Sequence, residues 1–557
     1  MNVTAEVGIA HILKAEGIEF VSTFPTNGVN NALGPEGVRL VMMRDDRYAI
    51  AVADAYSRVN NGEKIGVATV MGGVNSAGLQ VAYAGLAQAF EDGSPMLVLT
   101  DGVPSGATQN AHFDPIEALR HVTKWAARVD TPARTPQFMR RAFTLLRTGR
   151  PGPVLLAVPR NMGEYDEDSH PYVPVRGWRS APDQDDVARA AEVLRNARKP
   201  LIFAGEGVLY AGASTELLAL AELTQAPVLT TLKAKGAFPE THPLSLGVRG
   251  GPASTFLEEC DVLFAVGASL SPNRFSHAVP NPSDKEVVQC VVDEWDLNKM
   301  LPTDHAVIGN ARLTLAALNE QLGGGNSSNG SNRDPAFSGQ IESEKAAFDA
   351  EYAVHLGSSE QPINPYRVYA GLQQVLDPEN SFVTHESGNT RDQLSTTYRT
   401  SIPRGFLGWG NVSTLGFSFG AVVAAKLAFP QRQCVAVSGD AGVGYMLGNL
   451  ESAVRNELGV TVLHISNGGF GGYGPGFWGT GHDPYTHEVM DHTQIDMSQA
   501  VSNLGYHSER IDDPAEVEPA LQRALERNKQ GQPAYIEFIC SQFPVYGGWV
   551  TDPSANR

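Results

Sequence analysis

Cysteine is scarce. The chain has four in 557 residues, and Cys260, Cys290, Cys434 and Cys540 lie far apart with no Cys-x-x-Cys pair. That spacing supports neither a disulfide framework nor a thiolate metal site, and it predicts buried thiols in a reducing cytoplasm. Long apolar runs are missing as well. None approaches the roughly 18 residues of a membrane-spanning helix, so no membrane partner is expected. The opening residues, Met1-Asn2-Val3-Thr4-Ala5-Glu6, carry no basic region followed by an apolar core, so no signal peptide is expected. Positive charge is in short supply: 42 Lys and Arg stand against 61 Asp and Glu, a net charge of −19. A nucleic-acid partner needs a basic face and is not expected. The central third lacks a Gly-x-Gly-x-x-Gly turn between strand and helix, which ranks a nicotinamide oxidoreductase low.

What is present suits a soluble globular protein of about three domains, with 42% hydrophobic and 18% charged residues. The first third alternates short apolar runs (38–43, 65–70, 95–100) with stretches of helical spacing (48–59, 75–90). Such alternation predicts a parallel sheet with helices on both faces. Residues 185–322 repeat the pattern, with strands expected at 200–204, 227–231, 262–266 and 287–292 and helices at 187–196 and 214–223. A Gly, Ser and Asn run over 323–335 reads as a flexible linker. A third alternating region is expected over about 355–545. The fold class that follows is α/β, three doubly wound parallel-sheet domains.

The chain is organised around residues 439–469. Gly439-Asp440-Ala441-Gly442 follows an apolar run at 434–437, and Ser466-Asn467-Gly468-Gly469 follows another at 460–465. This is the length of a strand, turn, helix, strand unit, which places Asp440 and Asn467 at the carboxyl ends of neighbouring parallel strands. Open parallel sheets bind ligands at that edge. A carboxylate, an amide and a flexible turn suit a magnesium ion that also holds phosphate oxygens. The small residues after Asp440 let backbone N–H groups approach a diphosphate at a helix N-terminus.

These residues resemble the Gly-Asp-Gly…Asn-Asn signature of thiamine diphosphate (ThDP) enzymes, and nearly the whole chain is similar to the acetolactate synthase and 2-oxoacid decarboxylase group of that family. Ala441 stands where relatives have Gly, and Ser466 where they have the first Asn. The resemblance implies Asp440, Asn467 and the Gly469 carbonyl as magnesium ligands. It implies residues 1–170 as a pyrimidine-binding domain, 185–322 as a central domain and 355–545 as a diphosphate-binding domain. It also implies cofactor contacts from Pro25, Asn75, Ser387, Gly388, Asn389, Ser413, Leu415, Gly439, Ala441, Gly442 and Asn467. Leu415 would be the wedge that bends the cofactor, and Ser413 would offer its carbonyl to the 4′-amino group.

The register is supported by Gly72-Gly73-Val74-Asn75, by Asp92-Gly93-Ser94-Pro95-Met96 and by Asp54-Ala55-Tyr56-Ser57-Arg58. It sets Asp46, in Arg44-Asp45-Asp46-Arg47, on the family's catalytic glutamate. That glutamate bonds N1′ of the aminopyrimidine and favours the imino tautomer that takes the thiazolium C2 proton. A carboxylate in that role should be desolvated. Aspartate is one methylene shorter, a deficit of about 1 Å that matters at a catalytic contact. Either the backbone sits closer, or a water intervenes, or activation is weaker. Two solvated acids balancing Arg44 and Arg47 are the plain alternative.

His112 is a candidate acid/base group, set against an ordinary packing histidine. Tyr473, Phe477, Trp478 and His482, in a Gly-rich aromatic turn, are the substrate-side candidates, and 544–550 is a candidate lid. In the central domain, Arg249, Gly250 and Gly251 are candidate contacts for FAD or for ADP/CoA, beside the plainer reading of an empty loop. The expected activity is an acetolactate synthase-like carboligase or decarboxylase acting on small-molecule carbonyl substrates, usually a 2-oxoacid. A 2-hydroxyacyl-CoA lyase or oxalyl-CoA decarboxylase relative is the alternative, and a cofactor-binding regulatory subunit is the non-catalytic one. By resemblance the site lies between two subunits of a homodimer or homotetramer.

Overall fold

The computed structural model describes residues 1–25, 27–73, 77–103, 114–271, 276–323, 333–469 and 495–541. Three six-stranded sheets carry the architecture, and every strand pair in them is parallel. The first contains Phe20–Thr23 (β1), Arg39–Met42 (β2), Gly66–Val70 (β3), Met96–Gly102 (β4), Trp125–Arg128 (β5) and Val154–Pro159 (β6), in the order β2-β1-β3-β4-β6-β5. The second contains Pro200–Ala204 (β7), Val228–Thr230 (β8), Ser245–Gly247 (β9), Val262–Val266 (β10), Glu286–Val291 (β11) and His305–Ile308 (β12), in the order β9-β8-β7-β10-β11-β12. The third contains Ser381–His385 (β13), Phe406–Leu407 (β14), Gln433–Gly439 (β15), Val460–Ser466 (β16), His507–Ile511 (β17) and Ala534–Ile539 (β18), in the order β14-β13-β15-β16-β18-β17. The first and third sheets therefore share one strand order. The central sheet has the order of dinucleotide-binding folds. The doubly wound α/β class read from the sequence is the one observed.

The inner strands are buried on both faces, which explains why they read as continuous apolar runs and not as alternating ones. All four cysteines are buried and unpaired. Among the described residues no helix is long and apolar enough to cross a membrane. The linker reading passes over one element, a 22-residue helix at Pro335–Leu356. Its Phe337 and Ile341 pack into the central core, while Tyr352 joins the core of the third domain.

Two helices decide how the outer domains meet. Asp46–Val59 (α1) and Ala77–Asp92 (α2) belong to the first domain; Phe417–Ala428 (α3) and Asp440–Met446 (α4) belong to the third. In α1 every residue except Arg47 is buried. A helix buried on all sides must lie between layers. It lies against α3, and Phe20, Val41, Tyr48, Ala51, Val52 and Ala55 share one core with Phe419, Ala421, Val422 and Cys434. The axes approach closely because the contact residues are small: a Cβ on Gly420 would stand 2.6 Å from the Ala51 Cβ. Residues at this seam are packed to interior density, so added volume has nowhere to go. We expect Gly420→Leu to lower stability by about 1–3 kcal/mol, read as a lower denaturation midpoint. Gly444→Ala, where a Cβ meets open space, should leave the midpoint unchanged or raise it.

Candidate cofactor site

Asp440 is the first residue after β15 and opens α4. The ladder pairs Gly439 with Ile465, so the chain leaving β16 returns beside the Asp440 carboxylate. Four donors meet that carboxylate. The Asn467 and Gly469 N–H groups donate to Oδ2 at 3.1 and 3.3 Å, and Ser466 Oγ donates to Oδ1 at 3.4 Å. His464 Nε2 lies 3.1 Å from Oδ1. Burial pushes the carboxyl up, but the His464 ring and the Asn467 and Gly469 N–H groups outweigh it and hold it below the ordinary carboxylate range. Ser466 adds a longer bond to Oδ1, which gives the departure at that position a physical account.

The Asn467 side-chain amide lies 3.0 Å from Asp440 Oδ2 and 3.0 Å from the Gly469 carbonyl oxygen, and its NH2 group donates to both. Turned over, its oxygen would join them as a third acceptor, an arrangement that a cation would stabilise. Adjacent ligands of an octahedral ion with bonds of about 2.0–2.1 Å are separated by about 3 Å. The donor set is a carboxylate, an amide oxygen and a carbonyl, all hard oxygens, and it could hold magnesium.

A cradle of turns surrounds this point. After β13 come Glu386, Ser387 and Gly388, with Gly388 at φ 101° before the helix Asn389–Thr397. Ser387 Oγ bonds Ser413 Oγ, in a turn where Ser413 has φ 66° and Gly416 φ 93°. Leu415 in that turn is half-buried. Gly442 lies so close to Glu386 and Ser438 that any side chain would collide with both. Ala441 has ordinary negative φ inside α4, so its methyl costs no strain. Ser387, Gly388, Asn389, Ser413, Gly439, Ala441 and Gly442 thus lie in the turns and helix starts at the carboxyl ends of the third sheet.

The start of α1 closes on this cradle from the first domain. Asp45 caps the helix, accepting from Tyr48 N at 2.9 Å, and takes the Asn449 amide at 3.0 Å. Arg47 donates to the Leu415 carbonyl and stacks over Tyr445 at 4.7 Å. Asp46 is only 5% exposed. Its Oδ1 accepts from Met71 N at 2.7 Å, and its carboxylate packs on the Cα of Gly78. Burial pushes its carboxyl above the ordinary range against the Met71 bond, and the Asp45 charge adds to the rise. Asp45 and Asp46 are therefore not two solvated acids.

Three family profiles match the chain in series: thiamine pyrophosphate enzyme N-terminal TPP binding domain over residues 3–124, central domain over 187–318, and C-terminal TPP binding domain over 386–538. The chain belongs to the thiamine pyrophosphate enzymes. Similar proteins include the probable acetolactate synthase large subunits of Methanocaldococcus jannaschii and Methanococcus aeolicus. Both are 28% identical, over 82% of this chain and 78% of the first, and over 92% of this chain and 88% of the second. The Escherichia coli acetolactate synthase isozyme 3 large subunit is 26% identical over 90% of this chain and 88% of its own.

In this member of the thiamine pyrophosphate enzymes, Pro25 is exposed just past β1. Asn75, His112, Tyr473, Phe477, Trp478, His482 and the 544–550 tail lie outside the described residues. Arg249 is buried, with its guanidinium 3.1 Å from Asp392 of the third domain, in keeping with the plainer of the two readings for that loop. The central cavity lies elsewhere, away from Asp440. It encloses about 670 Å³ beyond the ends of β7, β8, β10 and β11, and is lined by Gly205, Lys233, Gly267 and Ser269 with Arg150 of the first domain and Asn411 of the third.

Sequence reasoning missed Glu386. It is fully buried, and its carboxylate accepts from Ser387 N at 2.9 Å and Ser418 Oγ at 2.8 Å, tying the two cradle turns together. An acidic residue directly after an apolar strand was the available signal. Burial pushes its carboxyl from the ordinary 4.5 up to about 7, against those bonds. Between these values the folded state holds a proton that the unfolded state has lost, so this group makes stability fall as pH rises through the window. Above about 7 its contribution is level. Melting points of wild type and Glu386→Gln from pH 4.5 to 8 should show that part of the slope removed in the variant. Parallel curves would refute the assignment.

Proposed function

We propose that the chain is a magnesium- and ThDP-dependent enzyme that forms or cleaves a carbon–carbon bond beside the carbonyl of a 2-oxoacid, in the manner of an acetolactate synthase. One observation carries the reading: the Asn467 side-chain amide stands 3.0 Å from both Asp440 Oδ2 and the Gly469 carbonyl oxygen, at the carboxyl ends of β15 and β16. When bound, ThDP supplies the nucleophilic carbon and the electron sink for this chemistry. The rest is work for the chain's own residues. Asp440 and Asn467 anchor the metal, and backbone N–H groups at the start of α4 meet phosphate oxygens. The turn carrying Ser413 and Leu415 would support the bound cofactor. Asp46, out of water and with its proton affinity raised, would exchange a proton with a ring nitrogen of the bound cofactor.

We further propose that the central cavity takes a nucleotide, as FAD or as the ADP part of a CoA. Its place at the crossover of a dinucleotide-type sheet supports this, as do Arg176 and Arg179 in its lining, where Arg150 and Lys299 pair with Asp296 and Lys233 with Asp92. The same cations favour the second reading, an acyl-CoA substrate. A homodimer or homotetramer in the cytoplasm completes the proposal. Val81 and Tyr83 on α2 and Tyr445 on α4 are exposed and offer apolar surface to a second copy.

Asp440→Ala is expected to abolish magnesium-dependent ThDP binding; calorimetry showing unchanged affinity would sink the metal assignment. Asp46→Asn should slow C2–H exchange of bound ThDP, measured by deuterium incorporation, while leaving binding largely intact. Holoenzyme incubated with 2-oxoacids, aldehydes and acyl-CoAs, with products read by mass spectrometry, should convert a 2-oxoacid. Turnover of acyl-CoA alone selects the second reading, and no turnover selects a regulatory subunit.

A further inference from the structure

β16 runs Val460-Thr461-Val462-Leu463-His464-Ile465-Ser466 and is buried throughout. An imidazole in the middle of such a strand costs free energy unless both ring nitrogens are bonded. Both are. Nε2 lies 3.1 Å from Asp440 Oδ1, and Nδ1 lies 2.7 Å from the hydroxyl of Tyr535 on β18. The ring is 1% exposed and the tyrosine is fully buried. With a proton on Nε2 the ring donates to the carboxylate while Nδ1 accepts from the phenol; the reverse tautomer would set a lone pair of Nε2 against Oδ1.

The two oxygens of Asp440 are therefore inequivalent. Oδ1 is engaged by His464 and, more weakly at 3.4 Å, by Ser466. Oδ2 accepts the Asn467 and Gly469 N–H groups at 3.1 and 3.3 Å and lies beside the Asn467 side-chain amide and the Gly469 carbonyl. We propose that His464, held by Tyr535, is a positioning residue that fixes the Asp440 carboxylate so that Oδ2 is presented to the metal. This rests on the reading of Asp440 as a cation ligand. Partners behind a ligand commonly change metal affinity by about 10–100-fold when removed.

The test is a magnesium titration in the presence of ThDP, followed by calorimetry, with the melting point of each metal-free protein measured in parallel. His464→Leu should weaken magnesium by about 10–100-fold. Tyr535→Phe should weaken it less, since the imidazole keeps its bond to Asp440 but loses its anchor. His464→Gln puts an amide donor near the position of Nε2 and should recover most of the affinity. If His464→Leu does not fold, the Gln and Phe variants carry the comparison by their rank against wild type. Melting points that fall while magnesium affinity stays at the wild-type value would overturn the proposal and leave His464 a packing residue. Asp440→Ala separates the two readings. If it retains magnesium-dependent binding, the ligand assignment has failed. If it loses binding while the His464 and Tyr535 variants keep it, the positioning role alone has failed.

Discussion

The close approach of α1 and α3 is the constraint on which the placement of the first domain against the third depends. Asp46 and Arg47 stand at the first turn of one helix, and the Ser413–Gly416 turn leads into the other. Ala51 and Gly420 let the two backbones meet, and that contact sets where Asp46 lies relative to Leu415. Apolar burial supplies the adhesion, at roughly 25 cal/mol per Å² of surface removed from water. Arg47 on the Leu415 carbonyl and Asn449 on Asp45 supply the register. An apolar seam alone would hold the domains together without fixing their slide. Directional bonds at its end make one arrangement the best satisfied.

A second junction locks the central domain to the other two. Arg58 is fully buried, 2.7 Å from Asp54 and 2.8 Å from Asp92. Lys233 of the central domain lies 3.5 Å from Asp92, and Arg404 of the third lies 3.0 Å from Glu206 of the central domain. Buried ion pairs contribute little net stability, but breaking one strands a charge at a cost of about 3–5 kcal/mol. The network therefore works as a registration device. It makes misdocked domain arrangements expensive, and Lys233 and Glu206 line the central cavity at the same time.

The first and third sheets share one strand order, yet they face the cradle differently. The third offers turns after β13, β15 and β16, rich in small residues and N–H groups. The first offers the buried start of a helix. A diphosphate needs backbone approach and a cation, whereas a heterocycle needs a desolvated proton partner. The departures from the family pattern fit this division. Ala441 falls at a helical position that tolerates a methyl, and Ser466 still donates to Asp440.

The order of strands and helices was legible along the chain, because strands buried on both faces read as apolar runs whatever lies beyond them. The run at 200–204 became β7, the run at 262–266 became β10, and 460–465 became β16 with one residue added. Asp440 and Asn467 were legible as a pair for the same reason, since a βαβ unit of that length returns its second strand beside its first. The Pro335–Leu356 helix was not, because it spans two cores and its apolar residues serve different partners. Nor were the bonds among residues far apart in sequence, such as Tyr535 behind His464 behind Asp440, or Glu386 between Ser387 and Ser418. Local pattern records which side chains avoid water. Only the packed sheet decides which polar groups meet once water is gone, and that decides the direction of the Asp440 carboxylate and the proton affinities of Asp46 and Glu386.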